Sequence, residues 1–231
     1  MINTEVRSQK SEVTGHRSQV TSNRSGVWCL VTVFLLCTAL TGCASPKGHP
    51  FLTPLPTALP GYNITEQNIV FSNNDVKVGI SPLNSSEAKK ILAAKDTNNP
   101  LVEILTQPGY LVFLLDIENS SKTKVMYNPS LTTLFDNNMG LHKPLDYTDL
   151  YTLLGNLPNP EIIINNIKDI IYDLTVTLSP GQRTSRLLIF SGIEEDTSEA
   201  AITMKEIYIG TSTIAVSFGF KITEESKEAS K

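Results

Sequence analysis

The chain is poor in cysteine and in histidine, and it lacks both a basic run and an apolar run long enough to cross a membrane. Of its 231 residues three are cysteines, Cys29, Cys37 and Cys43, and none occurs in the 188 residues that follow. Disulfides are therefore not what stabilises the bulk of this fold. The histidines are His16, His49 and His142. Two separated imidazoles and no thiol after Cys43 give no ligand set for a zinc site, and no metal or cofactor is expected. A formal net charge of −4, with no cluster of Lys and Arg, gives no electrostatic footprint for nucleic acid. The longest apolar stretch, Val27 to Leu40, is 14 residues. A bilayer-spanning helix needs about 20.

That stretch has the length of a secretory apolar region: Arg24 precedes it, and the small residues Thr41 and Gly42 lead to Cys43. Leu40-Thr41-Gly42-Cys43 resembles the lipobox of bacterial lipoprotein precursors. The resemblance implies that the Cys43 sulfur carries diacylglycerol and that cleavage falls between Gly42 and Cys43. It also implies a mature protein held to membrane lipid by its acyl chains, each buried methylene contributing about 0.8 kcal/mol. Ala44 stands where an aspartate would retain such a protein in the inner membrane, so the expected location is the outer membrane, facing the periplasm. Loss of residues 1–42 removes four basic and two acidic residues together with the single tryptophan, Trp28, and leaves a net charge of −6.

Residues 43–61 hold Pro46, Pro50, Pro54, Pro56 and Pro60. Such density favours extended polyproline conformation, and the segment reads as a tether reaching up to roughly 50 Å. Residues 223–231 read as a solvated charged tail. Between them, residues 62–222 read as one domain. Ile214, Val216, Phe218, Phe220 and Ile222 alternate with small or polar residues, as do Val76, Val78 and Ile80, the period of half-buried strands. Leu111 to Leu115 is continuously apolar, then alternates from Asp116. Leu174 to Leu178, the turn Ser179-Pro180-Gly181-Gln182 and Leu187 to Phe190 read as a hairpin-like pair. Ala200 to Ile209 should pair with the last strand. With Val125–Tyr127, Leu131–Phe135 and Leu141–Lys143 these make about eight strands, enough for a sandwich.

Helical spacing interrupts the strands. Ser85 or Ser86 caps a helix that buries Ala88, Ile91 and Leu92. Across 146–174, Asp146 caps a helix with Tyr147, Leu150, Tyr151 and Leu154, which ends at Gly155. Asn159-Pro160 opens a second, with Ile163, Ile167, Ile170 and Leu174 on one stripe. The prediction is a mainly β, antiparallel sandwich with a short two-helix insertion. The segment Leu178-Ser179-Pro180-Gly181-Gln182 before Leu187-Leu188-Ile189-Phe190, with Phe218 and Phe220 in a final strand, resembles immunoglobulin-like domains of bacterial envelope lipoproteins. That resemblance implies no site residues.

No Gly-x-Ser-x-Gly accompanies a serine, and His142 lies beside a predicted turn, so no catalytic residue is assigned and no enzyme is expected. Asp136-Asn137-Asn138-Met139-Gly140 begins like a calcium loop but lacks the later ligands, and reads as a tight turn. The leading expectation is a non-catalytic envelope module that binds another envelope protein or supports an assembly. Its candidate partner surface is Ile162, Ile163 and Ile167, in a helix with more apolar side chains than one stripe hides. A second reading is a small-ligand or polysaccharide binder using Tyr147 and Tyr151, and a third is a hydrolase built on His142.

The polar leader echoes itself, Glu5-Val6-Arg7-Ser8-Gln9 recurring in part at Glu12-Val13 and Arg17-Ser18-Gln19-Val20. Initiation near Val20 would leave a leader of ordinary length. A chain started at that position should be exported and acylated as well as the longer one; loss of export in a fractionation assay would show that the first 19 residues matter.

Overall fold

The computed structural model describes residues 50–194 and 196–224. In chain order the strands are β1 (Pro50–Pro54), β2 (Tyr62–Ile64), β3 (Ile69–Ser72), β4 (Val76–Leu83), β5 (Tyr110–Asn119), β6 (Val125–Tyr127), β7 (Thr132–Asp136), β8 (Leu141–His142), β9 (Val176–Leu178), β10 (Arg183–Ser191), β11 (Glu199–Ile209) and β12 (Ser212–Glu224). Two helices, α1 (Ser85–Leu92) and α2 (Pro100–Leu105), lie between β4 and β5. Two more, α3 (Tyr147–Leu154) and α4 (Pro160–Asn165), lie between β8 and β9. The protein is mainly β, with two antiparallel sheets and few helices.

The first sheet runs β1-β12-β11-β6-β9, with β7 also on β11 and β8 on β7; the second runs β10-β5-β4-β3-β2. One core lies between them. Val216, Phe218 and Phe220 of β12 are buried, as the alternation of that strand requires, against Leu111, Phe113, Leu115 and Ile117 of β5. The Phe113 ring sits 5.1 Å from that of Phe220 and 6.0 Å from that of Phe190. β11 and β12 form the long hairpin expected across residues 210–212, turning at Gly210 with φ +60°.

A second core lies on the other side of the five-stranded sheet. Val112, Leu187 and Ile189 point away from the first sheet and meet Leu92, Leu101, Leu105, Leu150, Leu154 and Ile167 of the helical segments. This explains the continuous apolar runs of β5 and β10: a strand covered on both faces has no polar side to alternate with. The layer has local causes. Asn84, rather than either serine after it, caps α1 in a reciprocal box with Glu87, and Asp146 does the same for α3 with Asp149. Helix α2 was not foreseen, although Asn99-Pro100 carries its signal: Asn99 caps the Leu101 N–H, and its amide also donates to the Ile163 carbonyl at 2.8 Å.

Several expectations are corrected. The tether does not extend over its whole length, because residues 50–54 pair with β12 from Pro54↔Phe220 to Pro50↔Glu224, and Leu52 is buried in the core. Proline is tolerated there because β1 is an edge strand. The pair across residues 179–182 turns as expected, the Gln182 N–H donating to the Ser179 carbonyl, but is not a hairpin. β9 joins β6 in one sheet and β10 joins β5 in the other. Buried Asn119 bridges the divergence, donating through its amide to the Leu178 and Thr123 carbonyls, while its backbone pairs with residues 181 and 182. Helix α4 ends at Asn165, so the long isoleucine stripe does not form. Ile164, Ile167 and Ile171 are buried instead, and Leu174 is exposed.

Within the main core the Tyr127 hydroxyl meets the Thr132 hydroxyl at 2.8 Å, both residues being fully buried. Removing either partner strands the other without water, at a cost of about 1–3 kcal/mol. Tyr127→Phe and Thr132→Val should each lower stability by that order, and the double variant by clearly less than their sum. A urea double-mutant cycle checks this; strict additivity would show that the contact contributes nothing.

Candidate functional site

The residues singled out from sequence do not come together at one place. Gly42 and Cys43 lie outside the described residues. Ile167 is buried and belongs to the core beneath the helices, Ile163 is half-buried against that core, and Ile162 is 62% exposed. The candidate partner surface is thereby corrected: Ile167 cannot belong to it without unfolding the layer, and Ile162 alone of the three presents most of its side chain. The reason is the early end of α4. The chain then turns so that the Leu187 N–H donates to the Ile170 carbonyl at 2.7 Å and the Tyr172 N–H to the Leu187 carbonyl at 2.9 Å. With the Leu145 N–H on the Ile189 carbonyl at 2.8 Å, the insertion closes the free edge of β10. Tyr147 and Tyr151 are partly exposed on α3, their rings 6.3 Å apart.

His142 is engaged in a turn. Its Nε2 lies 2.8 Å from Asp136 Oδ2, while Asp136 Oδ1 accepts the N–H groups of Asn138 (2.9 Å) and Gly140 (2.6 Å). The Asp136 carboxylate is buried. The hydrogen bond from His142 holds it below the usual carboxylate range, with the Gly140 and Asn138 N–H groups adding to the effect against burial, which raises it. A Cβ on Gly140 would collide with this carboxylate and with the imidazole, so glycine is required by the close approach. The neighbouring Met139 takes the left-handed conformation, φ 64°, with its side chain in solvent. Asn137 accepts the Ser198 and Glu199 N–H groups, and the Asn138 amide donates to Asp196, which ties this loop to residues 196–199. The expected tight turn is present; its buried Asp–His pair could not be read from spacing.

A groove is the other feature, and sequence reasoning missed it. The helices cover only the half of the outer sheet face that carries Leu114, Leu187 and Ile189. On the uncovered half, Val70, Lys77, Gly79, Asp116, Glu118 and Arg183 line a depression of about 150 Å³, with Arg183 paired to Asp116 at 3.0 Å. The change from an apolar run to alternation at Asp116 marks where the helix layer stops. An adjoining hollow of about 250 Å³ shares Asn68 and Ser81 with it and extends to Phe51 of β1, the β2–β3 turn and the start of α1. Among the described residues there is no group of three or more His, Cys, Asp and Glu placed to hold a metal ion.

No protein-family model matches this chain, and no curated protein matches it. Two solved structures are similar in part. One is the yjhA protein from Bacillus subtilis, 12% identical over 58% of this chain and 76% of that one, with a TM-score of 0.31. The other is a functionally unknown protein from Listeria monocytogenes EGD-e, 19% identical over 76% of this chain and 89% of that one, with a TM-score of 0.32. At these scores neither likeness bears on function.

The Asp136 turn makes a pH prediction. A carboxylate whose folded-state pKa is depressed stabilises the fold fully above its unfolded value, about 4, and the contribution is lost as pH falls through the lower folded value. Thermal melts should therefore fall on acidification below about pH 4, and Asp136→Asn should flatten part of that limb while lowering the neutral-pH midpoint. An unchanged acid limb in Asp136→Asn would assign the loss to other carboxylates.

Proposed function

We propose that this protein is a lipid-anchored lipoprotein of the bacterial envelope whose immunoglobulin-like sandwich acts as a non-catalytic binding or assembly module, at the outer membrane and facing the periplasm. The observation that carries the reading is the placement of Leu40-Thr41-Gly42-Cys43 directly before a folded β domain that contains no cysteine. Pro50, where β1 begins, lies seven residues after Cys43. Seven residues of fully extended chain span at most about 25 Å, so an acylated Cys43 would hold the domain close to the lipid surface. The two antiparallel sheets around one core support the sandwich part of the reading, and the helix layer departs from a plain immunoglobulin-like domain.

Two observations favour binding over hydrolysis. The His142 imidazole is engaged by Asp136 in holding a turn, and most of the large apolar side chains left in solvent are on the helices and loops. Among them Ile162, Tyr147 and Tyr151 are the candidates for a partner surface, since the fold gains little from them where they stand.

Labelling with a fatty acid in a bacterial host should mark the wild-type chain and not Cys43→Ala, which should persist as a longer precursor. Processed protein should show tyrosine but no tryptophan emission, because Trp28 leaves with the leader. Tryptophan emission from acylated protein would refute cleavage after Gly42. Ile162→Asp should leave the melting midpoint unchanged but reduce in-cell crosslinked complexes. Unaltered complexes would remove Ile162 from the partner surface.

A further inference from the structure

We propose that the hollow between β1, the β2–β3 turn and the start of α1 is a binding site for an uncharged or N-acetylated saccharide, with Phe51 as its stacking wall. The proposal goes beyond the anchoring reading by naming a ligand class, and it does not depend on acylation. Three features of the hollow converge on this chemistry.

The first is Phe51. Along β1 its neighbour Leu52 points into the core, so Phe51 points outward and is 51% exposed. Its ring borders the hollow, whose remaining apolar wall is formed by Pro50, Leu52, Pro82 and Leu83. A pyranose has a C–H face that packs on such a surface and a rim of hydroxyls that requires paired donors and acceptors.

The second is the supply of those groups. Gln67 and Asn68 come from the β2–β3 turn, Ser81 from β4, and Asn84 and Glu87 from the capping box of α1. Asn68 and Asn84 are fixed by bonds that leave other atoms uncommitted, and Gln67 is exposed beside them. Asn68 uses its Oδ1 to accept from the Thr65 hydroxyl, and Asn84 uses Oδ1 to accept the Glu87 N–H. Among the described residues the Nδ2 groups of both, the Gln67 side-chain amide and the Ser81 hydroxyl have no protein partner. The two asparagine amides, held in place with free Nδ2 donors, are suited to hydroxyl or acetamido recognition, because their ordering cost is already met in the folded state.

The third is charge. Among the described residues Glu66 and Glu87 line the hollow, and no Lys or Arg does. Carboxylates without a cation repel an anionic ligand, which leaves neutral hydroxyl-bearing or N-acetylated rings as the matching class. The adjoining depression, where Lys77 and Arg183 balance Asp116 and Glu118, continues the polar track and would accommodate further sugar units.

The test titrates the full-length chain in detergent with chitotetraose and with maltotetraose, followed by isothermal calorimetry and by protein-detected NMR. Saturable binding of at least one at millimolar concentration or below is expected. Phe51→Ala and Gln67→Ala should each weaken it about tenfold, with the fold retained because neither side chain belongs to the buried core. Tyr147→Ala should leave it unchanged. Absence of binding to both oligosaccharides overturns the proposal while leaving the anchoring reading intact, since that reading is judged by acyl labelling alone. Binding lost in Tyr147→Ala but kept in Phe51→Ala would also overturn it, by moving the sugar to the helix tyrosines.

Discussion

Strands β5 and β10 must be covered on both faces, and most of the architecture follows from that requirement. Inward, Phe113 and Phe190 pack with Phe220 from the opposing sheet; outward, Val112, Leu187 and Ile189 expose apolar surface that only a further layer can hide. The chain provides that layer twice, once between β4 and β5 and once between β8 and β9. The two pieces are held together by Asn99 on the Ile163 carbonyl and by Lys95 with Asp169. Because β10 is also the last strand of its sheet, the same insertion closes its edge with three backbone hydrogen bonds. An uncovered β10 would present both an apolar face and unpaired backbone groups, the combination most prone to aggregation.

The division of labour between surfaces follows. Most isoleucines of the insertion serve to cover a sheet, so only those on its far side are free for other contacts. Ile162 faces away from the core, whereas Ile164, Ile167 and Ile171 are committed to it. The half of the outer sheet face beyond the helices carries no such demand, and there the side chains become Lys77, Asp116, Glu118 and Arg183 around a glycine floor. A scaffold that is rigid on one half of a face and polar on the other offers recognition without disturbing its core.

The position of β1 joins these features to the proposed anchor. Its pairing with β12 places the start of the folded domain, the hollow beside Phe51 and the residue proposed to be acylated within a short run of chain. Recognition at that end of the domain would take place near the lipid surface, while the Asp136 turn and the helix tyrosines lie on other elements of the domain. The Asp136 turn itself is costly to build, since it buries a carboxylate and puts Met139 in a left-handed conformation. Both are stabilised by the surrounding hydrogen bonds rather than by apolar packing.

Much of the fold is local and was legible. Period-two patterns located β4 and β12, a continuous apolar run located β5, capping chemistry at Asp146 and Gly155 bounded α3, and Asn159-Pro160 marked the start of α4, because each depends on residues within a few positions of one another. What the sequence alone determined is therefore most of the strand and helix segments, though not β1, β2, β3 or α2, and, at β5, that one strand is buried more deeply than the rest. Which strands are neighbours was decided by tertiary structure: residues 174–178 and 187–190 flank a turn yet join different sheets, because β5 offers Leu187 to Phe190 a partner buried on both faces. The tertiary structure also ended α4 at Asn165, where β-branched isoleucines hold a helix weakly and the edge of β10 offers backbone partners instead. It made Pro50–Pro54 an edge strand, and it assembled the Phe51 hollow from three segments distant in sequence. Periodicity reports how one segment is buried; it carries no information about which distant segment does the burying.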